Sequence, residues 1–189
     1  MKHFIEFLRA ILAGVAIAIG SLVFLGLGNS IAGMIGFSIG LYLILWFKLN
    51  LYTGKIGYAT LSKAGDTSII ILGNILGTLI LLPFAPIGTT VILLENKILS
   101  PWYLILIKSF ICGILIYAGV DQYKKGKEYA PLLAVPTFIA CGAEHCIADY
   151  CFWILSGCTI IAVQFLPFFL LVVIGNSLGS ILFRLITKS

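Results

Sequence analysis

From Tyr150 to Phe183 the chain runs without a single charged side chain, and it does so again over Ala10–Gly28, Asn29–Phe47 and Thr67–Leu94. A helix needs about 20 mainly apolar residues to cross a bilayer, where every backbone N–H and C=O must be satisfied without water. Runs of this length leave few other fates. With 61% apolar and 10% charged residues and a mean hydropathy of +1.15, the chain also has far too little polar surface for a soluble domain of 189 residues. An all-α integral membrane protein is expected. The basic start MKHFIEFLRA leads into an apolar stretch that has no small-residue cleavage site and passes straight into a second span. A cleaved signal peptide is therefore not expected, and the mature chain is expected to start at Met1.

Six spans are expected, near residues 7–27, 29–49, 67–86, 99–120, 130–157 and 159–186. The connectors LNLYTGKIGYATLSKAGD, PIGTTVILLENK and DQYKKGKEY are short. Six spans with these connectors place Lys2, Arg9, Lys48, Lys55, Lys63, Lys124, Lys125, Lys127, Arg184 and Lys188 on one side, with Lys97 in a connector on the other. By the excess of Lys and Arg in cytoplasmic segments, both termini are expected to be cytoplasmic. The net charge of +5 does not point to nucleic acid, because no basic run is interleaved with exposed aromatics.

The chain repeats itself. RAILAG (Arg9–Gly14) is matched by KSFICG (Lys108–Gly113), GNILG (Gly73–Gly77) by GNSLG (Gly175–Gly179), and Phe37 by Phe138. A single transmembrane domain, 1–189, is expected, with repeat halves of about 1–90 and 97–189. Each half holds an odd number of spans, so the second is expected to be inverted, a 3+3 plan that places a site at the midplane where the halves meet. Small residues in GNxxG let backbones approach, and Asn can bond a freed carbonyl. The second and fifth spans are expected to be broken: Asn50, Thr53 and Gly54 are poor continuers in lipid, and Cys141-Gly142-Ala143 precedes a charged cluster. Irregular backbone at membrane depth is tolerated where protein or water surrounds it, which points to a pore between the two breaks.

That cluster is CGAEHCIADY (Cys141–Tyr150), with Glu144, His145 and Asp149. Ionisable residues inside a membrane are functional candidates by default. Cys141, His145 and Cys146 have no C-x-x-C pair or second histidine nearby, so packing is preferred to a metal site. The odd count of five cysteines argues against a disulfide framework, and the thiols are expected to be buried as small hydrophobes. A membrane enzyme built on this cluster ranks last, since His3 lies at the terminus.

LYTGK, GNILG, CGAEHCIADY and GNSLG, in that order on a three-plus-three repeat, resemble the formate/nitrite transporter family over nearly the whole chain. The resemblance implies an aquaporin-like pentamer in the plasma or inner membrane, with one pore per subunit for small monovalent anions and no cofactor. Carried over by position, it makes His145 the central pore histidine and Thr53 the threonine opposite. Phe37, Leu41 and Phe138 fall at the spacings of the apolar constrictions, although both phenylalanines would be plain core in another membrane protein. Leu51 and Tyr52 take the place of a Leu-Phe pair, and Lys97 that of a vestibule lysine. The chain departs from the pattern at Asp149 and Gly113, where the family commonly has Asn, and at Asn50, where it commonly has Glu. The amphipathic helix that precedes the first span in that family is not expected here.

These residues imply a mechanism. A bare anion in a dry collar costs many kcal/mol, and His145, able to give up a proton near neutral pH, could neutralise it after attracting it as imidazolium. Lys97 would gather anions at the mouth, Asp149 would lie one turn from His145 and pair with it, and Glu144 would bond the freed backbone. Asp149 also motivates the alternative of a pore for a small neutral or cationic solute.

Overall fold

The structure, a computed structural model, describes residues 2–59, 64–160 and 162–187, and every regular element among them is helical. Met1, Lys63 and Lys188, which entered the sequence reading, lie outside the described residues. Four helices are long and apolar enough to span: α1 (Lys2–Gly26), α4 (Ala64–Thr78, which tightens into a 3-10 turn over Leu79–Phe84), α6 (Trp102–Lys124) and α9 (Ala162–Thr187). The shorter ones are α2 (Ile31–Trp46), α3 (Tyr52–Ile56), α5 (Gly88–Ile98), α7 (Ala130–Ala140) and α8 (Cys146–Leu155).

The range expected for the second span, 29–49, holds α2, with the short α3 just beyond it, and the range 130–157 holds α7 and α8. After α2 the chain turns at Lys48, with φ +53, and passes through extended Leu51 before re-entering helix at Tyr52. After α7 it turns at Gly142, with φ +64, a conformation natural to a residue without Cβ. One connector is also more ordered than expected: PIGTTVILLENK holds α5, whose Thr90 and Leu94, one turn apart, are buried.

Glycine sets how the long helices pair. A Cβ on Gly14 would fall on the Asn74 carbonyl, and one on Gly77 on the Ile11 carbonyl, so α1 and α4 meet main chain to main chain. Gly113 against the Asn176 carbonyl and Gly179 against the Phe110 carbonyl do the same for α6 and α9. Any larger residue would part the helices by the width of a side chain.

The two asparagines between these contacts have matching jobs. Asn74 Oδ1 accepts from the Tyr52 N–H (2.8 Å), the first of α3, while its Nδ2 donates to the carbonyls of Ala10 and Asn50 (2.8 Å each). Asn176 Oδ1 accepts from the Cys146 N–H (3.0 Å), the first of α8, and its Nδ2 donates to Ser109 and Glu144 (2.8 Å each). A helix starting inside apolar surroundings leaves donors that must find partners. One buried amide at each break supplies a partner and ties three segments together.

The outer faces are apolar. Ile69, Leu72 and Leu76 on α4, and Leu166, Leu170, Ile174 and Leu178 on α9, stand exposed at helical spacing. Lipid, rather than water, suits such a surface.

Candidate functional site

The breaks bring α3 and α8 together in the protein's interior. His145 is the N-cap of α8, with extended backbone, and its Nδ1 accepts the Ala148 N–H at 3.2 Å. Its Nε2 lies 2.9 Å from Thr53 Oγ1 on α3, and both residues are buried. Since Nδ1 accepts from a backbone N–H, a neutral ring carries its proton on Nε2 and donates it to Thr53. These bonds are those of a neutral ring.

Phe138 stacks on the His145 ring at 5.8 Å, and Phe37 meets Phe138 edge to face at 6.0 Å. Phe37, Phe138 and His145 line a cavity of about 500 Å³, which Phe24, Phe152, Asn96 and Lys97 also line. A second cavity, of about 450 Å³, is lined by Leu41, Leu51 and Gly54, with Lys48, Lys55 and Lys124 around it. Asn29, just before α2, lines the first cavity and Lys48, just after it, the second, so α2 runs from one to the other. Phe37 and Leu41 face different cavities although only one helical turn separates them. Tyr52 does not line either cavity; its hydroxyl bonds Ser177 at 2.8 Å.

The charged groups are arranged differently from the expectation. Lys97 lines the first cavity but is already paired. Helix α5 turns its ammonium inward, where it pairs with Glu144 and, at 2.9 Å, with Asp149 Oδ1. Burial alone would lower the Lys97 pKa, but the carboxylates of Asp149 and Glu144 outweigh it and hold the ammonium above the ordinary lysine value. Glu144 does not bond the freed backbone with its side chain. Asn176 does that at the Glu144 carbonyl, which leaves the carboxylate to Lys97 and, at 3.9 Å, to Lys108. Asp149 pairs with Lys97 rather than with His145, and its Oδ2 has no hydrogen-bond partner. Asn50 is buried and bonds Glu6 Oε2 at 2.6 Å, away from the His145 group.

Lys108 and α5 were missed as site-forming features. Lys108 shows only in the match between KSFICG and RAILAG, and nothing in the apolar run around Phe24 marks it as a lining residue. Cys112, Cys146 and Cys151 are buried thiols as expected, but Cys141 and Cys158, at the ends of α7 and α8, are exposed. Among the described residues no group of three or more His, Cys, Asp or Glu side chains is placed to hold a metal ion.

The sequence model of the formate/nitrite transporter family matches residues 2–188. The fold is similar to that of a pentameric formate channel solved with formate bound, at TM-score 0.82 and 20% identity, over 99% of this chain and 96% of that one. It is also similar to an ion channel of the same family, at TM-score 0.84 and 21% identity, over 96% of this chain and 88% of the other. No curated protein matches the chain in sequence.

Proposed function

Because the chain belongs to the formate/nitrite transporter family, we propose that it forms a membrane channel for small monovalent anions such as formate, nitrite, hydrosulfide or a short carboxylate. The observation that carries this reading is the Thr53–His145 hydrogen bond between α3 and α8: His145 lines the first cavity, and Gly54, next to Thr53, lines the second. The wider frame is a homopentamer of single-domain subunits in the plasma or inner membrane. Each subunit has six spans in two inverted halves, about 1–90 and 97–189, in an aquaporin-like fold with both termini cytoplasmic. The equivalent bonding of Asn74 and Asn176 supports the two halves. The chemistry is transport and not catalysis.

In this reading an anion enters the first cavity and meets the Phe37–Phe138 pair. It passes that apolar collar most cheaply as the neutral acid. An imidazolium bears protons on both nitrogens and cannot accept from Ala148, so a proton reaching His145 releases the α8 cap. Passing that proton to the anion restores both the neutral ring and the cap. Thr53 holds the other nitrogen in register. Leu41 and Leu51 form the second collar, and Tyr52 braces the α3 break against α9.

Uptake of formate and nitrite by proteoliposomes, with and without an inward proton gradient, tests the proposal. Anion uptake that rises with the gradient is expected. The presence of Glu144 and Asp149 beside the cavity favours a second reading, a pore for a small neutral or cationic solute, and uptake of ammonia or glycerol in place of the anions would establish it.

The collar has its own test. Replacing Phe37 and Phe138 together with Ala removes two rings that touch each other across the path. The double variant is expected to admit longer carboxylates and raise flux severalfold, because the ring-to-ring contact limits the aperture. An unchanged size cut-off in a carboxylate series would place the constriction elsewhere.

A further inference from the structure

The first cavity carries more charge than its role as an anion entrance requires. Four ionic side chains line it: Lys97, Lys108, Glu144 and Asp149. Lys97 touches both carboxylates, so these three alone sum to one negative charge when both acids are ionised. His145 adds none, since its ring bonds are those of the neutral form. Asp149 lines the cavity with Oδ1 on Lys97 and Oδ2 unpartnered, so when it is ionised its charge is only partly met by a local donor. An entrance of that sign would repel the anions the channel is proposed to take.

Lys108 restores the balance. It lies on α6, lines the same cavity, and holds its Nζ 3.9 Å from Glu144 Oε1, too far for a hydrogen bond and close enough for strong coupling. Its side chain is 28% exposed against 18% for Lys97, so it is the lysine of the pair that an incoming solute meets less encumbered. Glu144 joins the two, with one oxygen toward each.

We infer that Lys108 is a selectivity residue of the entrance: it offsets the charge of Asp149, and the pair decides whether the first cavity admits anions. This rests on the anion reading above. Lys97 then serves to hold the two carboxylates in place, and the attraction felt by an incoming anion comes from Lys108. Lys108→Gln leaves the cavity one charge negative, Asp149→Asn leaves it one charge positive, and the double variant is neutral again.

The experiment is initial formate uptake by proteoliposomes holding the full-length protein, over a range of formate concentrations at low and high ionic strength. Lys108→Gln is expected to cut uptake at low ionic strength roughly five- to tenfold, mainly through a higher KM, and the loss should shrink in high salt. Lys108→Arg should behave as the parent protein. Lys108→Gln/Asp149→Asn should recover most of the lost uptake, which a merely structural role for Lys108 would not allow. Should Lys108→Gln fail to accumulate, Asp149→Asn alone must raise low-salt uptake above the parent. An unchanged KM in Lys108→Gln, or no recovery in the double variant, overturns the inference while leaving the anion channel standing. If the parent protein passes small cations instead, the anion reading fails, and the charge offset is upheld only if Lys108→Gln raises cation flux.

Discussion

Lys97→Met is expected to cost the protein about 3–5 kcal/mol of stability, the usual penalty for leaving buried charges without their partner. Glu144 and Asp149 are both buried, and Lys97 touches both. Methionine fills much of the same volume but offers neither carboxylate a donor. Thermal unfolding in detergent should show the loss, and acidification should recover part of it, because a protonated carboxyl needs no cation. A variant as stable as the parent at neutral pH would mean that the carboxylates do not depend on Lys97. In the unaltered protein the sign is that of a lysine whose pKa is raised on folding. Its stabilising contribution is complete below the unfolded value of about 10.4 and is lost as pH climbs through the higher folded value.

His145→Asn is expected to leave the fold intact and reduce proton-linked anion uptake by roughly 100-fold, within the range for loss of a positioned proton donor. Asparagine is among the best N-cap residues, so its side-chain oxygen can take over the bond from the Ala148 N–H. Only the titratable ring and the bond to Thr53 are lost. His145→Phe removes the cap as well, and should lower stability by about 1 kcal/mol in addition. Comparing the two variants separates the ring's structural role from its chemical one. Proton-dependent uptake at parental rates in a monodisperse His145→Asn protein would exclude the ring from the proton path.

The long helices were legible because they are long. Expected spans near 7–27, 67–86, 99–120 and 159–186 correspond to His3–Gly26, Gly65–Phe84, Trp102–Lys124 and Ala162–Thr187, with ends differing by a few residues. Hydropathy is local, so a sequence displays it directly. Asn50–Gly54 and Cys141–Ala143 stand out in the sequence as poor helix formers in apolar company, and residues outside helix separate α2 from α3 and α7 from α8 near them.

What was not legible depends on partners far away in the chain. Helix α5 reads as a connector because Thr89, Glu95, Asn96 and Lys97 are polar, and its inward side emerges only when Thr90 and Leu94 find burial against the rest of the fold. From that helix Lys97 reaches Asp149, 52 residues on, and nothing in either segment announces the other. Asp149 had been expected to pair with the histidine one turn away. Sequence proximity suggested that pairing, but His145 Nδ1 was already engaged in capping α8. Family resemblance, and no pattern in the residues themselves, pairs Thr53 with His145, 92 residues apart.

The glycine contacts between α1 and α4, and between α6 and α9, have a mechanical side. Helices touching main chain to main chain have no layer of side chains between them to slide or compress, so each pair moves as one stave. In the proposed collar the movable parts are then the rings of Phe37 and Phe138, since a ring can reorient without displacing the helix that bears it. Passage that needs only such a turn leaves the outline of the staves unaltered, so the protein can breathe without changing its girth in the bilayer.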